Sequence, residues 1–325
     1  MNILITAMGS TTAISVAKAF DDRGRRTSHY NIFRFNRHKI IGTDILPENE
    51  IAGSSFCHRC YRVSPASNYE QYCSDINDIV FKEKIDVIIP CSDIEAEVMA
   101  GQYISDCYVC VPSTKAAVIT CNDKLETYRF FNKLNIPTPR TLPTDNGGKH
   151  NSLTLDFPYI VKPRRGVSSR GVYTILNSKE RCLIKRIEKP IIQEKLYGEE
   201  FTVDVLCDGK RMIACVPRWR IETKDGKSMK AITFRDDRLT EYCKEIVEHL
   251  EIKGICCIQG FYTKALTYVL TEINCRPSAT LVLTTEAGIN MPKLILKLAA
   301  GETLEPITDF KIVKIVRYLS EDFYD

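Results

Sequence analysis

Short apolar runs separated by segments of helical period open the chain. Residues 3–6 (ILIT) suit a buried strand, Gly9 and Ser10 mark a turn, and Ile14, Val16, Ala17 and Phe20 follow at helical spacing. Residues 40–43 form a second such run ending at Asp44, and residues 85–90 (IDVIIP) a third. Strands alternating with helices predict a parallel sheet, so residues 1–112 read as a Rossmann-like α/β domain. The first turn holds only Gly9 where a dinucleotide fingerprint has three spaced glycines, which disfavours an NAD-dependent dehydrogenase.

The pattern then changes. Leu125, Tyr128, Phe131 and Leu134 predict a helix over residues 123–134 with Asn122 as its cap, ended by the prolines of 136–141 (IPTPRT). Residues 145–152 (DNGGKHNS) read as a loop, 159–162 as a strand, and 171–176 as strand-like. Residues 191–206 read as two strands broken at Gly198. Residues 255–262 and 267–274 predict an antiparallel hairpin turning near Lys264 and Ala265. The fold class expected is therefore α/β followed by α+β.

Composition narrows the function. A chain of 325 residues accommodates about two or three domains of ~100–200 residues. With 44% hydrophobic and 26% charged residues it has the balance of a soluble globular protein. A net charge of +4 does not indicate a broad nucleic-acid surface, and no stretch approaches the ~20 apolar residues of a membrane span. The N-terminus lacks the basic start of a signal peptide, and the fourteen cysteines sit largely in apolar segments such as 254–259 (GICCIQ). Reduced thiols in the cytoplasm explain them better than a disulfide framework. Cys57 and Cys60 form a Cys-x-x-Cys pair, but no second ligand pair follows at zinc spacing and the next residues look extended, so metal or redox chemistry is not expected there.

Several segments carry chemistry. RGVSSRG (165–171) joins two strands through glycines, serines and arginines, a composition suited to an anion. Lys162 lies among apolar neighbours in YIVKP and needs a partner, for which a phosphate would serve. The segment 193–196 (QEKL) can offer backbone hydrogen bonds to a flat heterocycle, and a nearby acid can take ribose hydroxyls. Glu272, Asn274 and Arg276 alternate along one strand and share a face, and the hairpin brings Gln259 opposite Glu272 to within a residue or two. A solvated sheet face also alternates in this way. Three oxygen-bearing groups on paired strands nevertheless suit Mg²⁺, which leans on few protein ligands plus phosphates.

The order of parts resembles the ATP-grasp superfamily: the lysine of NDK, the lysine of YIVKP, a small-residue loop, QEKLYGEEFT, a glutamine strand, then EINCRP. More narrowly, the chain looks like the carbamoyl-phosphate-synthase-like single-chain ATP-grasp carboxylate–amine ligases. Residues 272–304 are similar to that group's C-terminal signature and residues 216–233 (VPRWRIETKDGKSMKAIT) to its Arg-rich segment. The resemblance implies a Rossmann-like pre-ATP-grasp domain (1–112) and an ATP-grasp domain (113–325). The latter would divide into a lid subdomain of about 125–197 and a C-terminal subdomain of about 198–325.

It further implies ATP and Mg²⁺. Lys124 and Lys162 match the lysines on the ATP phosphates, and Ser168, Ser169 and Gly171 fall in the lid loop. Glu194, Lys195 and Leu196 match the adenine linker and Glu200 the ribose acid. Gln259, Glu272 and Asn274 match the metal ligands, and Arg276 the arginine near the transferred phosphoryl. Arg218 and Arg220 are expected to bind the carboxylate or acylphosphate, the alternative being surface arginines. Asp93 or Glu95, after the strand 85–90, would either meet a substrate ammonium or act as helix N-terminal acids. The partners implied are a small-molecule carboxylate and amine, with a homodimer as the assembly. One departure points to a nucleotide-binding protein without ligase turnover: Cys257 stands where relatives often place Arg or Asn, and Gln259 where many carry Asp or Glu.

Overall fold

The computed structural model describes residues 1–20, 38–100, 107–110, 114–144, 155–166 and 171–320. It begins with β1 (Asn2–Ile5), α1 (Thr11–Lys18), β2 (Lys39–Asp44), β3 (Arg59–Arg62), α2 (Tyr69–Glu83), β4 (Val87–Ile89), α3 (Asp93–Met99) and β5 (Tyr108–Val109). The five strands form a parallel sheet in the order β3-β2-β1-β4-β5. Its central strands β2, β1 and β4 are near-continuous apolar runs buried on both faces, as a doubly covered parallel sheet requires, while β3 and β5 form the edges. Ile3, Ile5, Ile40, Val87 and Ile89 enter one core, while Leu4, Ile41 and Ile88 enter another with Tyr72, Ile76 and Met99.

Two helices follow, α4 (Lys115–Asn122) and α5 (Lys124–Lys133), then β6 (Thr141–Pro143), β7 (Tyr159–Pro163), β8 (Tyr173–Ile175) and β9 (Pro190–Glu194). These strands make a small antiparallel sheet, β6-β9-β7-β8, over a core of Tyr159, Val161, Ile175, Ile184, Ile187 and Ile192. The cap of α5 is Asp123, whose carboxylate accepts from the backbone N–H groups of Leu125 and Glu126. The expected Asn122 cap is corrected: Asn122 ends α4, and a second helix starts one residue later. Phe131 of α5 is buried in the core of the large sheet below, so the small sheet proper begins at Thr141.

The remainder comprises β10 (Gly198–Asp208), β11 (Met212–Lys224), β12 (Lys227–Thr233), α6 (Asp237–His249), β13 (Lys253–Thr263), β14 (Tyr268–Asn274), α7 (Leu281–Glu286), α8 (Met291–Ala299) and β15 (Lys314–Val316). The large antiparallel sheet runs β14-β13-β10-β11-β12-β15. Its apolar face presents Phe201, Val203, Val205, Cys256, Ile258 and Ile273 to Leu239, Cys243, Ile246 and Val247 of α6. Leu206, Ile213, Val216, Leu281, Met291 and Ile295 join the core of the parallel sheet instead. The two ends of the chain thus share a core, although their sheets are separate. Among the described residues, no helix is long and apolar enough to cross a membrane.

Candidate active site

Beyond Leu206, Val216 and Ile255, which enter the core of the parallel sheet, the other face of the large sheet is polar, and its register is set by strand pairing. Gln259 lies directly opposite Glu272, and Cys257 opposite Asn274. On the far side of β13, Thr202 pairs with Gln259 and Asp204 with Cys257, and Arg218 pairs with Thr202 across β10 and β11. Opposed residues share a face, so the three expected metal ligands meet on one surface. A register shift follows Gln259, at Gly260. A Cβ there would stand 2.3 Å from the Val269 carbonyl oxygen, so only glycine admits so close a neighbouring strand.

Lys162 reaches this surface from the small sheet. Its Nζ donates to Glu272 Oε1 at 3.4 Å, joining residues 110 positions apart. Burial pulls the Lys162 ammonium below its ordinary range, with Glu272 opposing the shift. Burial pushes the Glu272 carboxyl up, but Lys162 and Lys124 outweigh it and hold the group below its usual value.

Lys124, at the start of α5, donates from Nζ to the Gly166 carbonyl at 3.0 Å. Beside it, Arg164 forks onto Asp123 with Nε–Oδ1 3.0 Å and Nη2–Oδ2 2.6 Å, and the Lys124 N–H donates to the Arg164 carbonyl. The beginning of the β7–β8 loop is thereby clamped to the helix that carries Lys124. Asp123 and Arg164 were not singled out from sequence; the capping position of Asp123 was the available signal. Ser168 and Ser169 lie outside the described residues. Gly171, with φ +72°, occupies the left-handed region where glycine is favoured.

Glu194 is exposed at the end of β9, and Lys195 and Leu196 follow it between the small and large sheets. The Glu194 N–H donates to the Arg140 carbonyl at 2.9 Å. Glu200, near the start of β10, accepts from Arg220 Nη1 at 2.6 Å, and burial together with Glu272 raises its carboxyl despite that cation.

The three arginines differ. Arg276 binds Asp93 Oδ2 through Nε at 3.0 Å and reaches Asn274 Oδ1 at 3.4 Å, so it links the end of β14 to α3. Arg218 is 1% exposed and holds Asp204 with both terminal nitrogens, at 2.6 and 3.2 Å, while Nη2 also donates to Ser278. Its Nε is buried without a partner. Arg220 spends Nε on Ser228, Nη1 on Glu200 and Nη2 on the Gly226 carbonyl. Neither is a surface arginine. All three Arg220 nitrogens are engaged within the protein, one of them on Glu200.

Asp93 and Glu95 both fall in the first turn of α3, as helix N-terminal acids do. Glu95 is buried, accepts from Thr6 Oγ1 at 2.6 Å, and is pushed up to about 7 by burial. It is absorbed in the parallel sheet rather than offered to a ligand. Cys57 and Cys60 are free thiols; burial raises Cys57 well above its usual value and Cys60 to about 12, so neither is a ready thiolate. Among the described residues no three His, Cys, Asp or Glu side chains gather into a metal site. The donors that do converge, one carboxylate and two amide groups, fit a hard cation that draws its other ligands from phosphate and water.

Comparison with known proteins bears on the fold and the family. Residues 186–321 match a family model described as ATP-grasp in the biosynthetic pathway with Ter operon. The carbamoyl phosphate synthase large chain of Clostridium acetobutylicum is 23% identical over 256 residues, 73% of this chain and 24% of that protein. The chain thus spans about a quarter of the length of this relative. A biotin carboxylase–βγ-ATP complex from Campylobacter jejuni superposes with a TM-score of 0.71 at 15% identity, covering 96% of this chain and 73% of the other. The L-amino acid ligase of Bacillus licheniformis gives 0.68 at 15% identity, covering 92% and 73%. Residues 186–321 are thus similar to an ATP-grasp family model, and the chain as a whole shares its fold with these neighbours.

Proposed function

We propose that the chain is an ATP- and Mg²⁺-dependent ligase that joins a carboxylate to an amine through an acylphosphate, releasing ADP and phosphate. The observation that carries this reading is the meeting of Lys162 with Glu272 on the surface shared with Gln259 and Asn274. A cation from the small sheet and oxygen donors from the large one face each other, as a triphosphate between the sheets requires. The likeness to a protein named as an L-amino acid ligase supports the acid and amine classes.

In the reaction, an oxygen of the acid attacks the γ-phosphorus as the bond to ADP breaks. The amine lone pair then attacks the acyl carbon, the bond to phosphate breaks, and the nitrogen loses a proton. Acid and nucleotide are both anionic, so the barrier falls mainly through charge neutralisation and alignment. Lys124 and Lys162 hold the phosphates, with Ser168, Ser169 and Gly171 in the loop over them. Glu194, Lys195 and Leu196 take the adenine and Glu200 the ribose. Gln259, Glu272 and Asn274 would hold Mg²⁺, which supplies positive charge to the phosphates. Arg276 lies beside these ligands, suited to the phosphoryl in transfer, and the free Nε of Arg218 remains available to the acid. The free thiols accord with a cytoplasmic enzyme.

Cys257 favours a second reading, nucleotide binding without turnover. Burial pushes its thiol up to about 12, so Glu272 is the single charged member of the Gln259–Glu272–Cys257–Asn274 quartet. Mass spectrometry of products from pooled amino acids and amino sugars with ATP and Mg²⁺ separates the readings. ADP and a new amide, both dependent on acid and amine, are expected. AMP would overturn the acylphosphate route, and bound nucleotide without substrate-dependent phosphate release would favour the second reading.

A further inference from the structure

A cavity of about 500 Å³ opens between α3 and the end of β14. Glu272 and Asn274 form its inner wall, and Lys124 and Gly166 close the side nearest the expected phosphates. Asp93, Ile94, Glu97 and Val98 line it from α3, where spacings of one, four and five residues put them on neighbouring parts of one helix surface. Tyr69 completes the outer rim.

Two observations identify what this cavity takes. Asp93 is 9% exposed, yet only Oδ2 is used, by Arg276; Oδ1 is buried without a hydrogen-bond partner. Glu97, by contrast, is already held by Arg165 at 2.9 Å and by Asn122 at 3.1 Å. A buried carboxylate oxygen can only accept, so it calls for a donor. On the outer side, Ile94 is 57% exposed and Tyr69 45% exposed, so the rim offers apolar surface to a guest. The guest that satisfies both ends has an N–H-rich cationic head and an apolar body.

We propose that this cavity docks the amine substrate, a primary amine bearing an apolar group, with its nitrogen on Asp93 and its body against Ile94, Val98 and Tyr69. The assignment rests on the ligase reading and adds to it the substrate class and a specificity-determining residue. A carboxylic acid does not fit the same place, because it has no donor for Asp93 Oδ1 at neutral pH. The amine nitrogen also enters beside Asn274 and Glu272, on the surface where the acylphosphate forms.

Saturation-transfer NMR with isoamylamine and isovalerate tests the assignment, since the two carry the same alkyl group and opposite charge. The wild-type chain is expected to bind isoamylamine and not isovalerate. Asp93→Asn and Val98→Trp should each weaken isoamylamine at least tenfold while MgATP binding persists. Val98→Trp fills the cavity from the helix surface and leaves the Asp93–Arg276 pair intact, so it reports on the site even where Asp93→Asn perturbs folding. Unchanged amine affinity in both variants, binding of isovalerate in place of the amine, or no amine binding by the wild type overturns the proposal. MgATP binding is read separately: its absence in the wild type would sink the ligase reading whatever the amine does.

Discussion

The two faces of the large sheet are built by the same strands and do opposite things. Along β10 and β13, Phe201, Val203, Cys256 and Ile258 point to α6 and are buried among apolar neighbours. The residues between them, Glu200, Thr202, Asp204, Cys257 and Gln259, point the other way. One face is held by area removed from water; the other divides between Leu206, Val216 and Ile255, packed into the core of the parallel sheet, and paired charges: Asp204 with Arg218, Glu200 with Arg220, Glu272 with Lys162. Alternation at period two reports that a strand has two environments, and only the cross-strand partners reveal that the polar one is organised rather than merely wet.

The comparison breaks most visibly at Asp204. Asp204→Ala leaves Arg218 buried without its counter-charge and should cost about 3–5 kcal/mol in urea denaturation, as much as a large cavity on the apolar face. A loss below about 1 kcal/mol would show that the pair is dispensable.

Glu95 extends the contrast to a buried carboxyl without a cation. Its value in the folded chain, about 7, lies above the ordinary 4.5, so its contribution is full below about pH 4.5 and is lost as pH rises toward 7. Between those limits Glu95→Gln should gain about 3 kcal/mol relative to the wild type. Parallel stability–pH curves for the two proteins would refute the assignment.

On the apolar face, Ile258→Val should cost about 0.5–1.5 kcal/mol and leave MgATP affinity unchanged. The smallest effect is expected farther along the sheet. Glu222 and Lys230 pair at 2.6 Å but are about half exposed, so Lys230→Ala should shift stability by under about 0.5 kcal/mol. A larger loss would show that exposure does not separate the two classes of pair.

The strands, the hairpin and the meeting of Gln259 with Glu272 were legible in the sequence, because period-two alternation and one short turn determine them. The α5 cap was not. Asn122 and Asp123 are both capping residues, and the abutment of α4 with α5 decides between them. Nor were the pairs Arg164–Asp123, 41 residues apart, and Arg276–Asp93, 183 apart, since such contacts depend on how separate sheets come together. The same limit applies to the Arg220–Glu200 pair, 20 residues apart, which the arginine-rich strand alone did not reveal.

The central claim is that the polar face, closed by Lys162, is a nucleotide site. Calorimetric titration of MgATP into the wild type and Lys162→Ala tests it most directly, with melting curves of both free proteins as the check on folding. Saturable binding by the wild type, weakened on the order of 10–100-fold in the variant, is predicted from the loss of one charge-assisted contact. Equal affinity in two equally folded proteins, or no binding by the wild type, would contradict it.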